Sequence, residues 1–270
     1  MERVMDKIKD KETKKQAILY LAFTFLIAWG TELFLIGAYK LDLLQGGFGK
    51  LLHFALIGFG AGMAPCYAAY IVKRRYEKVT LKEFVKSIVC VGNKKAFAIV
   101  GFVLAIIQFF ACIIVEDYLG NPVYLFILFI PLMILGGGLE EVGWRGILQP
   151  ILEKKLPFFV ACVIEGVIWS CWHIPLWFVP NTSQCNYSFV AFTLYCITLG
   201  ITLAVAYKIT NSIWLTVLLH AWGNTVLGGM YSLRSLETLM PAAIGIYAVQ
   251  IGLVMGLYLV WKKGRLYSDK

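Results

Sequence analysis

Charged residues are scarce in this sequence. Only 15% of its 270 residues are Asp, Glu, Lys or Arg, whereas 60% are hydrophobic, and the mean hydropathy is +0.75. This composition excludes an ordinary water-soluble domain. The net charge of +9 would suggest a nucleic-acid partner in a soluble protein, but here the charges lie almost entirely between long apolar runs. We therefore expect no nucleic-acid partner, and we expect the chain to lie in a lipid bilayer.

Closely spaced cysteine pairs are also missing. The seven cysteines stand singly along the chain, which excludes both a cysteine-rich zinc site and a disulfide framework. Five of them lie in hydrophobic stretches, namely Cys66, Cys112, Cys162, Cys171 and Cys196. We interpret these five as small, buried, apolar residues.

Long apolar runs, in contrast, fill the chain. Because a helix needs about 20 residues to cross the hydrocarbon layer, eight segments qualify as spans. They are roughly 16–39, 51–72, 96–116, 123–150, 158–179, 187–207, 211–230 and 240–261. We predict an all-α, polytopic transmembrane helical bundle at 16–261, with tails at 1–15 and 262–270. The first span has no signal-peptide cleavage site and is expected to remain as an anchor.

The positive charges predict the orientation of these spans, since cytoplasmic loops are enriched in Lys and Arg. All but three of the 25 Lys and Arg residues fall on the side of the N-terminal tail. The opposite side has only Lys40, Lys50 and Arg234. Both termini are therefore predicted to be cytoplasmic, which requires an even number of spans. Within the loop 73–95, the run LKEFVKSIV has apolar residues at helical spacing and is predicted to lie along the membrane interface.

Several ionisable side chains lie inside the predicted spans, where each one is costly and hence a functional candidate. They are Glu32, His53, Glu140, Glu141, Arg145, Glu165, His173 and His220. Glu32 and His53 lie near the outer ends of their spans, where they can reach interfacial water, so we interpret them as structural. Glu165 could pair with Arg145 or line a water path, and it is left out of the predicted catalytic set.

The fourth span, ILGGGLEEVGWRGILQP, has the highest density of charge. On a helix, Glu141 and Arg145 are one turn apart and can pair. Glu140 points about 100° away from Glu141 and has no partner in its own helix, so it is free to act as a general base. The run Gly136-Gly137-Gly138 is expected to weaken or bend the helix just before this pair.

Two further spans carry histidines at one-turn spacing from another polar or aromatic residue. In the fifth span Trp169 and His173 are four residues apart, and Pro175 is expected to disturb the helix just after them. In the seventh span His220 and Asn224 are also four residues apart. A lone intramembrane histidine is more often a packing residue than a catalyst. These two spans together with the charged fourth span favour a catalytic site.

At these residues the sequence resembles the CAAX protease and bacteriocin-processing family of intramembrane proteases, also called the Abi family, and in particular its type 2 CAAX prenyl proteases. Three family motifs are matched in order, as Glu140-Glu141-Val-Gly-Trp-Arg145, Trp169-Ser-Cys-Trp-His173 and His220-Ala-Trp-Gly-Asn224. The resemblance covers roughly 123–230. The family often has phenylalanine where Trp144 and Trp169 stand, and Glu165 corresponds to no motif position.

The resemblance implies an intramembrane endopeptidase. Glu140 would activate a water held between it and His173, and His220 and Asn224 would donate hydrogen bonds to the oxyanion. Glu141 and Arg145 would orient the site. Glu140, His173 and His220 are zinc ligands in kind, but the sequence lacks the HExxH spacing of zinc proteases. We expect no tightly bound metal, with zinc as the alternative.

Two other functions remain open at this point. One is a non-enzymatic bacteriocin-immunity or partner-binding protein, a role also associated with the family; the other is a proton- or ion-coupled transporter. A transporter predicts internal repeats, and the sequence has no convincing one. The expected partners are a membrane-associated peptide substrate and the bilayer itself, in a bacterial cytoplasmic membrane or else in the endoplasmic reticulum. Substrate, oligomeric state and host are not indicated by the sequence.

Overall fold

The computed structural model describes residues 2–237 and 241–268, and this part of the chain consists of helices and loops with no β-sheet. Its α-helices are α1 (Glu2–Lys40), α2 (Gly46–Ala55), α3 (Ala64–Tyr76), α4 (Leu81–Ile88), α5 (Lys94–Val115), α6 (Leu125–Leu135), α7 (Glu141–Gly143), α8 (Gln149–Glu153), α9 (Phe158–Trp172), α10 (Phe189–Thr210), α11 (Ile213–Val226), α12 (Arg234–Glu237) and α13 (Pro241–Ser268). The all-α prediction is confirmed.

Seven helical stretches in the described residues are long and apolar enough to cross a membrane. They are Lys11–Lys40, Gly46–Tyr76, Lys94–Val115, Leu125–Glu153, Phe158–Phe178, Phe189–Thr210 and Pro241–Gly264. Each overlaps one of the eight predicted spans, and the protein is a multi-pass membrane protein. The cytoplasmic placement of both termini stays a prediction. Residue 1 of the predicted N-terminal tail and residues 269–270 of the predicted C-terminal tail lie outside the described residues.

The seventh predicted span, 211–230, is the one without a counterpart among these stretches, and its helix is shorter than the sequence suggested. Its helix α11 has 14 residues, fewer than the about 20 needed to cross the hydrocarbon layer. The chain leaves the helix at Leu227 and turns at Gly228, whose φ is +75°. The turn is fixed by the loop that follows α5, since Leu119 donates its backbone N–H to the carbonyl oxygen of Met230 at 3.0 Å.

Helix α10 forms the centre of the bundle and packs against α5, α9, α11 and α13. Its buried threonines satisfy their hydroxyl groups within the helix; Thr202, for example, donates to the carbonyl oxygen of Thr198 at 2.9 Å. Helix α9 approaches it closely at Gly166, where a Cβ atom would lie only 2.7 Å from Cα of Ile197. Small residues at such a crossing bring two membrane helices into contact.

The amphipathic segment predicted in the loop 73–95 folds as α4. Thr80 begins it with a capping box, in which the Thr80 side chain and that of Glu83 each accept a hydrogen bond from the other residue's backbone N–H. Phe84 is buried against the bundle, while Leu81 and Val85 remain exposed. Its location at the membrane interface stays a prediction.

The structure confirms the sequence interpretation for four of the five cysteines that were expected to be buried. All seven are free thiols, and Cys66, Cys112, Cys162 and Cys196 are buried. Cys171 is only partly buried.

Candidate active site

The fourth span is broken just before Glu140. Helix α6 ends at Leu135, and the chain resumes as a 3-10 turn at Gly138–Glu140 before α7 begins. Gly137, between them, has a φ of +153°, which L side chains rarely adopt. The predicted weakening of the helix by Gly136-Gly137-Gly138 is confirmed.

The packing of the chain against α11 also requires a residue without a side chain at Gly137. A Cβ atom on it would lie 2.6 Å from Nδ2 of Asn224 and 3.1 Å from Nε2 of His220. Because Gly137 has no side chain, the backbone before Glu140 lies directly against these two polar groups of α11.

Glu140 is buried, and two tryptophans hold its carboxyl group. The indole N–H of Trp169 donates to Oε2 at 2.8 Å, and that of Trp144 donates to the same oxygen at 3.4 Å. The expectation that Glu140 has no partner in its own helix is therefore wrong, because Trp144, one helical turn further along the chain, donates a hydrogen bond to it. Since both bonds end on Oε2, Oε1 is the oxygen left for a bound molecule.

Glu141 joins the fourth span to α11. Its Oε2 lies 3.0 Å from a guanidinium nitrogen of Arg145, and its Oε1 lies 2.8 Å from Nδ1 of His220. All three side chains are buried. The predicted ion pair between Glu141 and Arg145 is confirmed, and the bond to His220 fixes the orientation of the imidazole ring.

The guanidinium group of Arg145 has two further partners. It donates to the carbonyl oxygen of Gly200 on α10 at 2.8 Å and lies 3.9 Å from Oε1 of Glu165. Glu165 therefore lies near Arg145, one of the two alternatives that the sequence left open. It is fully buried and is not among the residues that line the cavity described below.

His173 follows the end of α9, where Ile174–Phe178 continue as a 3-10 helix containing Pro175, as the proline predicted. Its Nδ1 lies 2.9 Å from the carbonyl oxygen of Trp169. A carbonyl oxygen can only accept, so Nδ1 carries the proton and Nε2 of the neutral ring offers a lone pair. The rings of Trp172 and Phe192 pack against the imidazole at centroid distances of 4.6 and 5.0 Å.

A cavity of about 200 Å³ brings most of the predicted residues together. Of the six predicted site residues, Glu140, His173, His220 and Asn224 line it. Glu141 and Arg145 lie behind this wall and contact it through His220 and the neighbouring backbone. The three helical segments that the sequence singled out thus converge on one space.

A second cavity, of about 380 Å³, adjoins the first. The two share the lining residues Gly136, Gln184, Phe192, Tyr195 and Asn224. The second cavity extends from Asn224 to the loops at 183–187 and 227–233. Together they form a polar and apolar path that leads from these loops to Glu140.

Glu32 is the cavity residue that the sequence interpretation missed. It was expected to reach interfacial water at the end of its span, yet it is only 2% exposed and lines the same cavity as Glu140. The expectation fails because the π-helical segment Leu56–Gly62 packs against α1 and lines the same cavity as Glu32. The presence of a carboxylate within a span was the only sequence signal for it. His53, in contrast, has a structural contact, at 3.1 Å from the hydroxyl of Tyr39.

The metal alternative can be tested against the donor groups. No cluster of three or more His, Cys, Asp or Glu side chains suited to a metal ion occurs among residues 11–237 and 241–264. Nδ1 of both histidines and Oε2 of Glu140 are engaged by protein groups, whereas Nε2 of each ring and Oε1 of Glu140 make no such bond within the described residues. The expectation of no tightly bound metal, with zinc as the alternative, therefore stays a prediction.

Comparison with known proteins identifies the part of the chain that carries this site. Residues 122–226 match the family of type II CAAX prenyl endopeptidases, Rce1-like. This confirms the resemblance seen in the motifs. All six predicted site residues lie inside the Rce1-like segment.

A curated relative agrees with this match. CAAX prenyl protease 2 of Methanococcus maripaludis is 42% identical to the chain over 53 residues. The aligned part is 20% of this chain and 20% of that protein, so the chain matches the relative over about a fifth of its length.

Proposed function

We propose that this protein is an intramembrane endopeptidase that hydrolyses a peptide bond by means of a water molecule activated between Glu140 and His173. The observation that carries the proposal is the shared cavity, where two groups able to accept a proton and two groups able to donate hydrogen bonds line one space. The match of residues 122–226 to an endopeptidase family supports it.

In the first step, the water is held by the two acceptors. Nε2 of His173 accepts one of its protons in a hydrogen bond, and Oε1 of Glu140 takes the other as the oxygen attacks the scissile carbonyl carbon. The two indole bonds to Oε2 keep the carboxyl group pointed at the water. No covalent bond to the enzyme is formed.

In the second step, the negative charge on the former carbonyl oxygen is stabilised by Asn224 and His220. The amide group of Asn224 donates directly. Oε1 of Glu141 accepts a hydrogen bond from Nδ1 of His220, so donation to the oxyanion through Nε2 requires a ring that carries two protons. The proton held by Glu140 then passes to the leaving nitrogen, the C–N bond breaks, and the free carboxylate of Glu140 is restored.

The name of the relative suggests a class of substrate. CAAX prenyl protease 2 implies a peptide that carries a prenylated cysteine near its C-terminus, and we propose this class, or another membrane-associated peptide, for the present chain. We place the protein in a bacterial cytoplasmic membrane. The polar and apolar path through the second cavity is where the peptide would lie.

The experiment compares peptide ends across the membrane proteome of cells that carry the wild-type protein, Glu140→Gln or Glu12→Gln at matched expression. Glu12 is an exposed residue of α1 and makes the same substitution a control. We expect new termini with the wild type and Glu12→Gln but not with Glu140→Gln. Thermal unfolding of the purified variants checks that Glu140→Gln is folded. Identical profiles for all three proteins, with a phenotype that Glu140→Gln retains, would instead support a non-enzymatic immunity or partner-binding role.

A further inference from the structure

Glu32 is a buried carboxyl group without a protein partner. It lies in the membrane-spanning part of α1 and lines the cavity of Glu140. Its Oε2 is inaccessible to solvent and has no hydrogen-bond partner among the described residues. A buried acceptor left unpaired is costly, and an unpaired charge is far more so. The group is therefore expected to meet a ligand that enters the cavity.

The charges around the cavity indicate which ligand this is. Glu32 and Glu140 both line it, and its described lining contains no lysine or arginine. The nearest guanidinium group in the site, that of Arg145, is already held by Glu141 at 3.0 Å and lies 3.9 Å from Glu165. The ring of His220, the cavity residue proposed to carry a positive charge, is already paired with Glu141, so the two carboxyl groups make the cavity complementary to a further positive charge.

The wall beside Glu32 has room for such a group. Residues Ile57, Gly58, Ala61 and Gly62 of the π-helical segment line the cavity there with little side-chain volume. A Cβ atom on Gly58 would meet nothing within 4 Å. Glu32 does not line the second cavity, which begins at Asn224 and Gln184. A peptide that lies along both cavities would thus bring its reacting bond to Glu140 and a neighbouring side chain to Glu32.

We propose that Glu32 forms a subsite for the ammonium or guanidinium group of a lysine or arginine next to the scissile bond. That the basic side chain belongs to a substrate rests on the proposed endopeptidase function, whereas the binding of a basic side chain at Glu32 does not. Glu32 would then determine specificity, while Glu140 carries out the chemistry.

The test measures binding rather than cleavage. Three capped dipeptide amides, Leu-Lys, Leu-norleucine and Leu-Gln, are titrated into the full-length protein in lipid nanodiscs. Norleucine has the lysine chain without its ammonium group, and glutamine is a neutral donor. The proteins are the wild type, Glu32→Gln, Glu32→Asp and the α1 control Glu12→Gln. Partition of a probe into the bilayer is common to all four proteins, so the ratio of affinities between probes isolates the contribution of Glu32.

We expect the wild type and Glu12→Gln to bind the lysine probe about tenfold more tightly than either neutral probe. Glu32→Gln should lose this preference, and Glu32→Asp, whose carboxylate is one methylene shorter, should keep only part of it. If Glu32→Gln does not fold, Glu32→Asp decides. A wild type without the preference, or a full preference in every folded Glu32 variant, overturns the proposal.

The two proposals fail separately. A lysine preference without any new peptide ends in cells removes the endopeptidase function and keeps the cation subsite. New peptide ends without a lysine preference keep the endopeptidase and remove the subsite.

Discussion

The indole N–H of Trp169 donates to the carboxyl group of Glu140 at 2.8 Å, across a separation of 29 residues. The sequence presented Trp169 only as a neighbour of His173, one turn away on the same helix. In the structure Trp169 contacts both His173 and Glu140. Its backbone carbonyl oxygen accepts a hydrogen bond from Nδ1 of His173, and its indole N–H donates to Glu140. One residue thus fixes the relative position of both groups proposed to activate the water.

Replacement of Trp169 by phenylalanine should reduce kcat by roughly tenfold, since it removes a hydrogen bond to a carboxylate. Trp144→Phe is the matched control, because it deletes the same group from the longer, 3.4 Å bond to the same oxygen. Both changes remove the same side-chain volume, so the difference between them reports the hydrogen bond. Cleavage kinetics on an identified substrate measure it. An equal or larger loss in Trp144→Phe would contradict the assigned role of Trp169.

Glu141→Gln should be strongly destabilising. It removes the charge that pairs with Arg145 at 3.0 Å inside the protein, and loss of one member of a buried pair costs about 3–5 kcal/mol. We expect the midpoint of thermal unfolding to fall by roughly 10 °C. The control is Glu77→Gln, because Glu77 is exposed and its ion pair with Lys73 is long, at 3.9 Å, and should contribute little. Equal midpoints for the two variants would show that the buried network does not stabilise the fold.

Gly137→Ala tests the close approach of the backbone to α11. The new Cβ atom would lie 2.6 Å from Nδ2 of Asn224, at a φ that alanine rarely adopts, and this strain is expected to displace the proposed oxyanion donors. We expect a loss of kcat of the order of a hundredfold with a smaller change in KM. Gly245→Ala on α13, where a Cβ atom meets nothing within 4 Å, should leave both constants unchanged. Full activity in Gly137→Ala would remove Asn224 and His220 from the proposed site.

Chelation tests the metal alternative. Because Glu140, His173 and His220 do not form a metal-binding cluster in the described residues, we expect the cleavage rate to be unchanged after dialysis against EDTA. Elemental analysis of the same sample should give far less than one zinc ion per chain. Stoichiometric zinc that is lost together with activity, and restored with it, would reverse this expectation.

The sequence by itself determined the contacts that lie within one turn of helix. The pair Glu141–Arg145 and the contact between Trp169 and His173 follow from four-residue spacing alone, because helix geometry is local. The apolar runs likewise determined the all-α membrane fold, since only satisfied backbones can cross the hydrocarbon. The Gly136-Gly137-Gly138 break was predictable for the same local reason.

Only the tertiary structure decided which of these local pairs meet. The bonds of Glu140 to Trp169 and of Glu141 to His220 join different helices, and their formation depends on the packing of α9, α10 and α11 around one another. The burial of Glu32 depends on the packing of the π-helical segment Leu56–Gly62 against α1, which the position of Glu32 along its own span does not reveal. Helix α11 ends early because a separate loop fixes the turn at Gly228. In each case the deciding contact is between residues far apart in the chain, and helical periodicity carries no information about such contacts.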